Sequence, residues 1–264
     1  MRPALGSRDM NATAVTLSVK DGIGQLVLTD PPLNILTRAM LGQIRTGLRE
    51  LETDESLRVV VISAEGKHFS VGADVGEHLP PDYPDLISEF LDTIRVVHGF
   101  PLPVLAAVRG RCLGAGFELV AAADIVIAGQ DASFGQPEIM LGVFPPAACA
   151  MLPHNCPQGM AAELVFTGDP IDARDAQRAG IIRHVVPDER VEEETLDLAK
   201  RIARHSGAAL RHTKHALRHE LMDRTDGALQ HAGHVYVAEL METKDAVEGL
   251  QAFLEKRQPV WSNE

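Results

Sequence analysis

Two glutamates beside glycine-rich turns are the residues of this sequence that could most readily do chemistry. Glu118 ends the turn at residues 110–118, and Glu138 follows in a later loop. Two carboxyl groups that share one pocket can act as general acid and general base when their surroundings separate their pKa values. A helix-capping glutamate and a surface glutamate would have the same spacing, so the surrounding turns must decide between these interpretations.

Each glycine-containing turn follows a short apolar run that is typical of a buried strand. Residues 69–74 (FSVGAD) come after the run 58–63, and residues 110–118 (GRCLGAGFE) come after the run 103–108. Small residues let a ligand approach the backbone, and a helix that starts there directs free N–H groups toward it. The glycine patterns of dinucleotide-binding proteins and P-loops are absent, as is the serine elbow of hydrolases. The turns predict either a pocket lined by backbone donors or ordinary tight packing.

The elements that must position these turns alternate between strand and helix, which predicts the α/β class. Strands are expected at residues 15–28 (a hairpin), 58–63, 103–108, 125–128 and 182–186. Helices are expected at residues 38–51, 86–98, 115–122, 189–204, 207–221, 227–240 and 244–256. The helical last quarter carries an apolar stripe of Leu240, Val247, Leu250 and Leu254, and this stripe predicts a lid or an assembly region.

Composition excludes several classes of partner. The 264 residues carry a net charge of −12, which disfavours binding to nucleic acid or to an anionic membrane. No apolar run of membrane-spanning length and no secretory leader is apparent. The three cysteines fit neither a disulfide framework nor a zinc spacing, and we interpret them as core fillers of a cytoplasmic protein. Residues 1–11 are expected to form a loose extension.

Three histidines are the only hint of a metal site. His212, His215 and His219 are spaced to share one helix face, but no cysteine or carboxylate completes a ligand set. Alternation with arginine and lysine is typical of a solvated helix. We therefore expect no metal and no separate cofactor.

Six motifs, in one order along the chain, resemble those of the crotonase (enoyl-CoA hydratase/isomerase) family. They are residues 69–74, 106–110, 113–118, 134–138, 167–171 and 252–257. The resemblance extends from about residue 15 to residue 256. It implies a ββα-superhelix core, expected at residues 12–200, and a helical C-terminal trimerisation region at 201–264 that builds trimers or hexamers. It also implies a coenzyme A thioester as the substrate.

The resemblance also implies roles for individual residues. The backbone N–H groups of Ala73 and Ala115 would hold the thioester carbonyl, Glu118 would deprotonate a water, and Glu138 would protonate the α carbon. Coenzyme A would be contacted by a larger set, with the last two residues coming from a neighbouring subunit. This set is Ser70, Val71, Gly72, Asp74, Val75, Gly114, Phe253 and Lys256.

One segment departs from the straight-chain members of the family. Val143, Phe144, Pro145 and Pro146 stand where those members usually carry glycines, and Pro146 fixes φ and removes a donor. This wall of the acyl pocket resembles that of cyclohexa-1,5-diene-carbonyl-CoA hydratases, which act in aromatic degradation. The departure predicts a cyclic or branched acyl group.

Other functions stay open on the same scaffold. Family members that isomerise, dehalogenate or decarboxylate commonly lack one of the two carboxylates, so the presence of both favours hydration or its reverse. The alternatives are an isomerase, a hydrolase, or a non-catalytic relative that binds coenzyme A or RNA. A serine peptidase of the related Clp type would need a serine in residues 113–118, where there is none.

Overall fold

The computed structural model of the protein describes residues 13–264. The extension predicted at residues 1–11 lies outside this range. The strands are β1 (Val15–Lys20), β2 (Ile23–Leu28), β3 (Val59–Ala64), β4 (Val104–Val108), β5 (Arg111–Leu113), β6 (Ile125–Gly129), β7 (Ser133–Gly135), β8 (Ile171–Asp172) and β9 (His184–Val186). The helices are α1 (Arg38–Glu52), α2 (Tyr83–His98), α3 (Ala115–Ala121), α4 (Pro146–Asn155), α5 (Gln158–Thr167), α6 (Ala173–Arg178), α7 (Val191–Ala203), α8 (Gly207–His234) and α9 (Lys244–Glu255).

A six-stranded sheet in the order β1-β2-β3-β4-β6-β9 forms the centre of the molecule. Only the β1–β2 hairpin is antiparallel. Asp21 and Gly22 both have positive φ (53° and 77°), as a two-residue hairpin turn requires. Helices α1 and α2 cover one face of the sheet and α7 covers the other, so the central strands are apolar on both sides. The predicted α/β class is confirmed.

A second sheet of three very short strands, β5-β7-β8, was not predicted. Its strands have 3, 3 and 2 residues, too few to produce a readable alternation of apolar and polar side chains. Helices α4, α5 and α6 were also missed. This small sheet nevertheless decides where the two candidate glutamates lie.

Helix α8 corrects the prediction of two helices at residues 207–221 and 227–240. It runs without a break from Gly207 to His234 and continues as a π-helical segment, Val235–Glu239. Thr225 and Leu229, each 1% exposed, are buried across the expected break. Packing of this face outweighs the cost of about 1 kcal/mol that Gly227 imposes on a helix interior.

The C-terminal stripe is covered in part by the chain itself. Leu250 on α9 is 1% exposed, whereas Leu254 is 46% exposed. The assembly region predicted at residues 201–264 stays a prediction, and its boundary falls inside α7. No helix within residues 13–264 has both the length and the apolar character needed to cross a membrane.

Candidate active site

Parallel pairing of β5 with β7 brings the two candidate glutamates together. Leu113 pairs with Gly135, so the segments that leave these strands start side by side. The first becomes α3, with Glu118 in its first turn, and the second becomes a 3₁₀ turn that carries Glu138. A Cβ atom on Gly114 would collide with Oε1 of Glu138, and Gly114 has a φ of +52°. Only glycine fits this position, because the Glu138 carboxyl packs directly against the turn.

Two backbone N–H groups beside the carboxyls are free to bind a ligand. The Leu113 amide donates to the Ser70 carbonyl (3.0 Å), and the Gly72 amide donates to Ser70 Oγ (3.2 Å). These bonds hold the loop that contains Ala73 against the start of α3. Ala115 is the first residue of that helix, so its amide has no partner inside the helix. Within residues 13–264, neither the Ala73 amide nor the Ala115 amide donates a hydrogen bond.

Glu118 is buried but accepts hydrogen bonds from the N-terminus of a helix. The side chain is 2% exposed, and Oε1 accepts from the Ala148 amide at 2.8 Å. Burial raises the pKa of Glu118 to about 7, and hydrogen bonds from the Ala148 and Ala147 amides limit that rise. Pro146 begins α4 at a position where an N–H would have no helical partner, so its missing donor costs nothing.

The Glu138 carboxyl lacks the helix N–H donors that Glu118 has. Its Oε2 atom is buried and has no hydrogen-bond partner among the described residues. Burial, reinforced by the charge of Glu118, raises the pKa of Glu138 well above its ordinary value. Glu118 therefore loses its proton at a lower pH than Glu138 does. Once Glu118 is ionised, the pair supplies one carboxylate and one carboxylic acid.

The carboxyls and both free amides face one cavity of about 370 Å³. Most of its remaining wall is apolar, as expected of a small-molecule site. The sequence-predicted residues that line it are Val71, Gly72, Ala73, Val75, Gly114, Ala115, Glu118, Glu138, Val143, Phe144, Pro146 and Phe253. The unpredicted residues include His78, Leu86, Ile87, Phe90, Met140, Leu141, Tyr236, Leu250 and Arg257.

Four predicted site residues do not line this cavity. Ser70 is fully buried behind the turn. The Asp74 carboxylate accepts from the amides of the turn that follows it. Pro145 precedes α4, and Lys256 ends α9 with a φ of 57°. Ser70 and Asp74 therefore support the loop that carries Ala73, and their predicted contacts with coenzyme A stay predictions.

The end of α9 reaches the cavity of its own chain. Phe253 lines that cavity while remaining 53% exposed. The resemblance assigned Phe253 and Lys256 to a neighbouring subunit, and that assignment stays a prediction. The cation that lines the cavity is Arg257, which is held by Glu248 (2.5 and 2.8 Å) and Glu255 (2.6 Å).

Comparison with known proteins agrees with this geometry. The sequence model of the enoyl-CoA hydratase/isomerase family matches residues 18–264. The chain belongs to this family. It is 40% identical to a cyclohexa-1,5-dienecarbonyl-CoA hydratase from Thauera aromatica, over 90% of this chain and 92% of that protein. A 2,3-dehydroadipyl-CoA hydratase from Escherichia coli is 36% identical over 86% of this chain and 89% of its own.

The fold is that of the crotonase family with C-terminal helices, as predicted. The carnitinyl-CoA hydratase from Mycobacterium avium superimposes with a TM-score of 0.85 at 30% identity, covering 96% of this chain and all of that one. No cluster of three or more metal-binding side chains occurs in the part of the chain that the structure describes. Burial and the charges of Glu118 and Glu138 raise the pKa of Cys149 to about 12, so its thiol is a poor nucleophile.

Besides Arg257, two polar side chains of the cavity were not predicted as site residues. His78 Nδ1 donates to the Asp74 carbonyl (2.8 Å), since that oxygen can only accept, and burial lowers the His78 pKa. His78 lies in the 3₁₀ turn Gly76–His78, which follows the loop that carries Ala73. Tyr236 lies in the π-helical segment after α8, and no local pattern in the sequence marks it.

Proposed function

We propose that this enzyme adds water to an α,β-unsaturated acyl-CoA, or removes it, between Glu118 and Glu138. The observation that carries the proposal is the buried carboxyl pair with separated pKa values, next to the free amides of Ala73 and Ala115. Membership of the enoyl-CoA hydratase/isomerase family supports the substrate class. The relatives named above are hydratases of acyl-CoA thioesters.

The hydration follows from the protonation states of Glu118 and Glu138 and from the two free amides. The thioester carbonyl accepts hydrogen bonds from the Ala73 and Ala115 amides, which stabilise the enolate-like oxygen that forms when water attacks the β carbon. Each such donor contributes about 3 kcal/mol in comparable sites. Glu118, as the carboxylate, takes a proton from the water while the C–O bond forms. Glu138, as the acid, gives its proton to the α carbon, and proton return from Glu118 to Glu138 restores the starting state.

The coenzyme A portion must be held by backbone donors and by local cations such as Lys256. The chain carries a net charge of −12, so a polyanionic ligand gains little from the overall field. We place the thioester end along the loop 70–75 and Gly114. Phe253 and Lys256 of a neighbouring subunit would contact the other end, in a trimer or hexamer. No cofactor is needed beyond the coenzyme A of the substrate.

We propose a cyclic dienoyl group as the acyl portion. The cavity wall of Val143, Phe144 and Pro146 supports this choice, because proline fixes the backbone where glycines would leave room for a straight chain. Similarity to the Thauera aromatica hydratase supports it as well.

The test is incubation with a panel of acyl-CoA thioesters, followed by mass spectrometry of the products. We expect a gain of one water by the native enzyme, and a loss of about 10²- to 10⁴-fold in turnover for Glu118→Gln and for Glu138→Gln. Full activity in both variants would refute the mechanism, and migration of the double bond without gain of water would indicate an isomerase. Faster turnover of crotonyl-CoA than of cyclohexadienoyl-CoA would reject the cyclic acyl group.

A further inference from the structure

Tyr236 is a buried cavity residue that the mechanism above does not use. It is one of two tyrosines in the chain, is 1% exposed, and lines the cavity together with both glutamates. It lies in the π-helical segment Val235–Glu239. Such segments are rare and recur at functional sites.

Aromatic contacts hold the ring while the hydroxyl has no partner. Phe144 packs edge-on against Tyr236 with ring centroids 5.4 Å apart, and the His78 ring lies at 6.4 Å. The Tyr236 hydroxyl is buried without a hydrogen bond to any described residue. A buried hydroxyl left unpaired is costly, so its presence calls for a partner supplied by a ligand or a water.

Tyr236 lines the same cavity as Glu118 and Glu138, and the charges of both carboxyls act on its hydroxyl. Burial raises the pKa of Tyr236, and the charges of Glu138 and then Glu118 raise it further. The phenol therefore stays protonated and can donate a hydrogen bond. The two carboxyls and this hydroxyl thus line one cavity, which must receive a polar atom of the reactants.

We propose that Tyr236 is a third catalytic residue, whose O–H donates to the oxygen that is added to the β carbon. This inference rests on the proposed hydration. A water molecule has two protons and two lone pairs. With its protons directed at the two carboxyls and one lone pair bonded to Tyr236, the remaining lone pair is directed at the β carbon. In the reverse direction, the same O–H stabilises the departing hydroxyl.

Tyr236 keeps its proton throughout the reaction. The proton lost by water goes to Glu118, and the proton gained by the α carbon comes from Glu138. The tyrosine fixes only the orientation of the reacting oxygen, which is a recognised source of rate enhancement. The thioester carbonyl, held by the amides of Ala73 and Ala115, is not touched by Tyr236. This separation makes the proposal testable.

The test is Tyr236→Phe, with Tyr83→Phe as the matched control. Tyr83 is the other tyrosine of the chain and begins α2, away from the cavity lining. For Tyr236→Phe we expect kcat to fall about 10- to 100-fold, the loss of one transition-state hydrogen bond, with KM within about threefold. The control keeps native kinetics.

A second measurement separates this role from a structural one. Cinnamoyl-CoA is an enoyl thioester that absorbs at longer wavelength when its carbonyl is polarised. Bound to Tyr236→Phe, it should show the same spectral shift as on the native enzyme, because the Ala73 and Ala115 amides are intact. A diminished shift together with diminished turnover would mean that the cavity has deformed, and would overturn the proposal.

Two further outcomes contradict the proposal. Undiminished turnover by Tyr236→Phe would overturn it while leaving the hydratase function in place. If turnover falls only for acyl groups that carry an additional oxygen, Tyr236 contacts the acyl group and not the oxygen that is added. If the native enzyme hydrates no thioester, the proposed function itself fails, and this inference fails with it.

Discussion

Within residues 13–264, the carboxyl of Asp124 and the carboxyls of Glu118 and Glu138 are surrounded in opposite ways. Asp124 accepts hydrogen bonds from Lys214 Nζ (2.6 Å) and the Val104 amide (2.7 Å), and pairs with Arg218 at 2.8 Å. Glu118 and Glu138 face a cavity without a cation among their described partners. Paired charges at Asp124 attach α8 to the core, whereas unpaired carboxyls give up stability to gain shifted pKa values.

The largest expected effect comes from breaking the paired cluster, which consists of Asp124, Lys214 and Arg218. Asp124→Ala leaves the Lys214 and Arg218 cations buried without their carboxylate, with side chains only 8% and 12% exposed. We expect the free energy of unfolding to fall by about 3–5 kcal/mol, measured by urea denaturation.

The control for that variant is an exposed pair on the same helix. Asp226 of α8 contacts Arg95 at 2.7 Å, but its side chain is 65% exposed. Asp226→Ala should cost less than about 1 kcal/mol. Similar losses for the two variants would mean that burial of the Asp124 cluster does not set its strength.

The contrast between the clusters also separates what the sequence could predict from what it could not. Glu118 and Glu138 lie in local motifs whose glycines shape the turn, and the resemblance of these motifs to those of the crotonase family, not the spacing alone, predicted the pair. The structure brings them to one cavity, with the Ala73 and Ala115 amides beside them. Periodicity was also sufficient for the central sheet, because its strands are long and apolar on both faces.

Features that arise only from tertiary contacts were missed. No local pattern around Asp124 predicts that α8 brings Lys214 and Arg218 to it. Tyr236 likewise acquires its environment from Phe144 and His78, which are distant in the chain. The strands β5 and β7 are too short to show a period, although their pairing positions both glutamates.

The next effect in size comes from removing the charge of Glu118 in the unpaired cluster, which consists of Glu118 and Glu138. The pKa of Glu118 is raised from its ordinary 4.5 to about 7, so between these values the folded state binds more protons than the unfolded state. Stability from this group is therefore present at low pH and is lost as the pH rises toward 7. Glu118→Gln removes this loss, so its free energy of unfolding at pH 8 should be about 3 kcal/mol higher than that of the native enzyme.

Urea denaturation of Glu118→Gln and of the native enzyme at pH 5 and pH 8 measures this difference. The gain should be large at pH 8 and small at pH 5. Glu50→Gln, a substitution at an exposed position of α1, is the control and should leave stability unchanged at both values. A Glu118→Gln variant that is less stable than the native enzyme at pH 8 would contradict the view that this carboxylate is strained.

The smallest effect distinguishes the clusters by the sign of their pH dependence. His98 is 4% exposed, and its Nδ1 accepts from Arg218 of the paired cluster at 2.5 Å. Burial, then the charges of Arg218 and Lys214, lower the pKa of His98 from 6.5 to about 4. Between these values the unfolded state binds more protons, so this group loses stability as the pH falls, the reverse of Glu118.

His98→Gln keeps an acceptor for Arg218 but cannot be protonated in this range. The native enzyme should lose about 2 kcal/mol at this group between pH 7 and pH 5, and the variant should lack that loss. His231→Gln, at an exposed position of α8, should retain it. If His98→Gln and the native enzyme lose equal free energy of unfolding between pH 7 and pH 5, the loss does not come from His98. Opposite slopes for His98→Gln and Glu118→Gln would instead establish that the paired cluster, through His98, weakens the fold toward acid pH, whereas the Glu118–Glu138 pair weakens it toward alkaline pH.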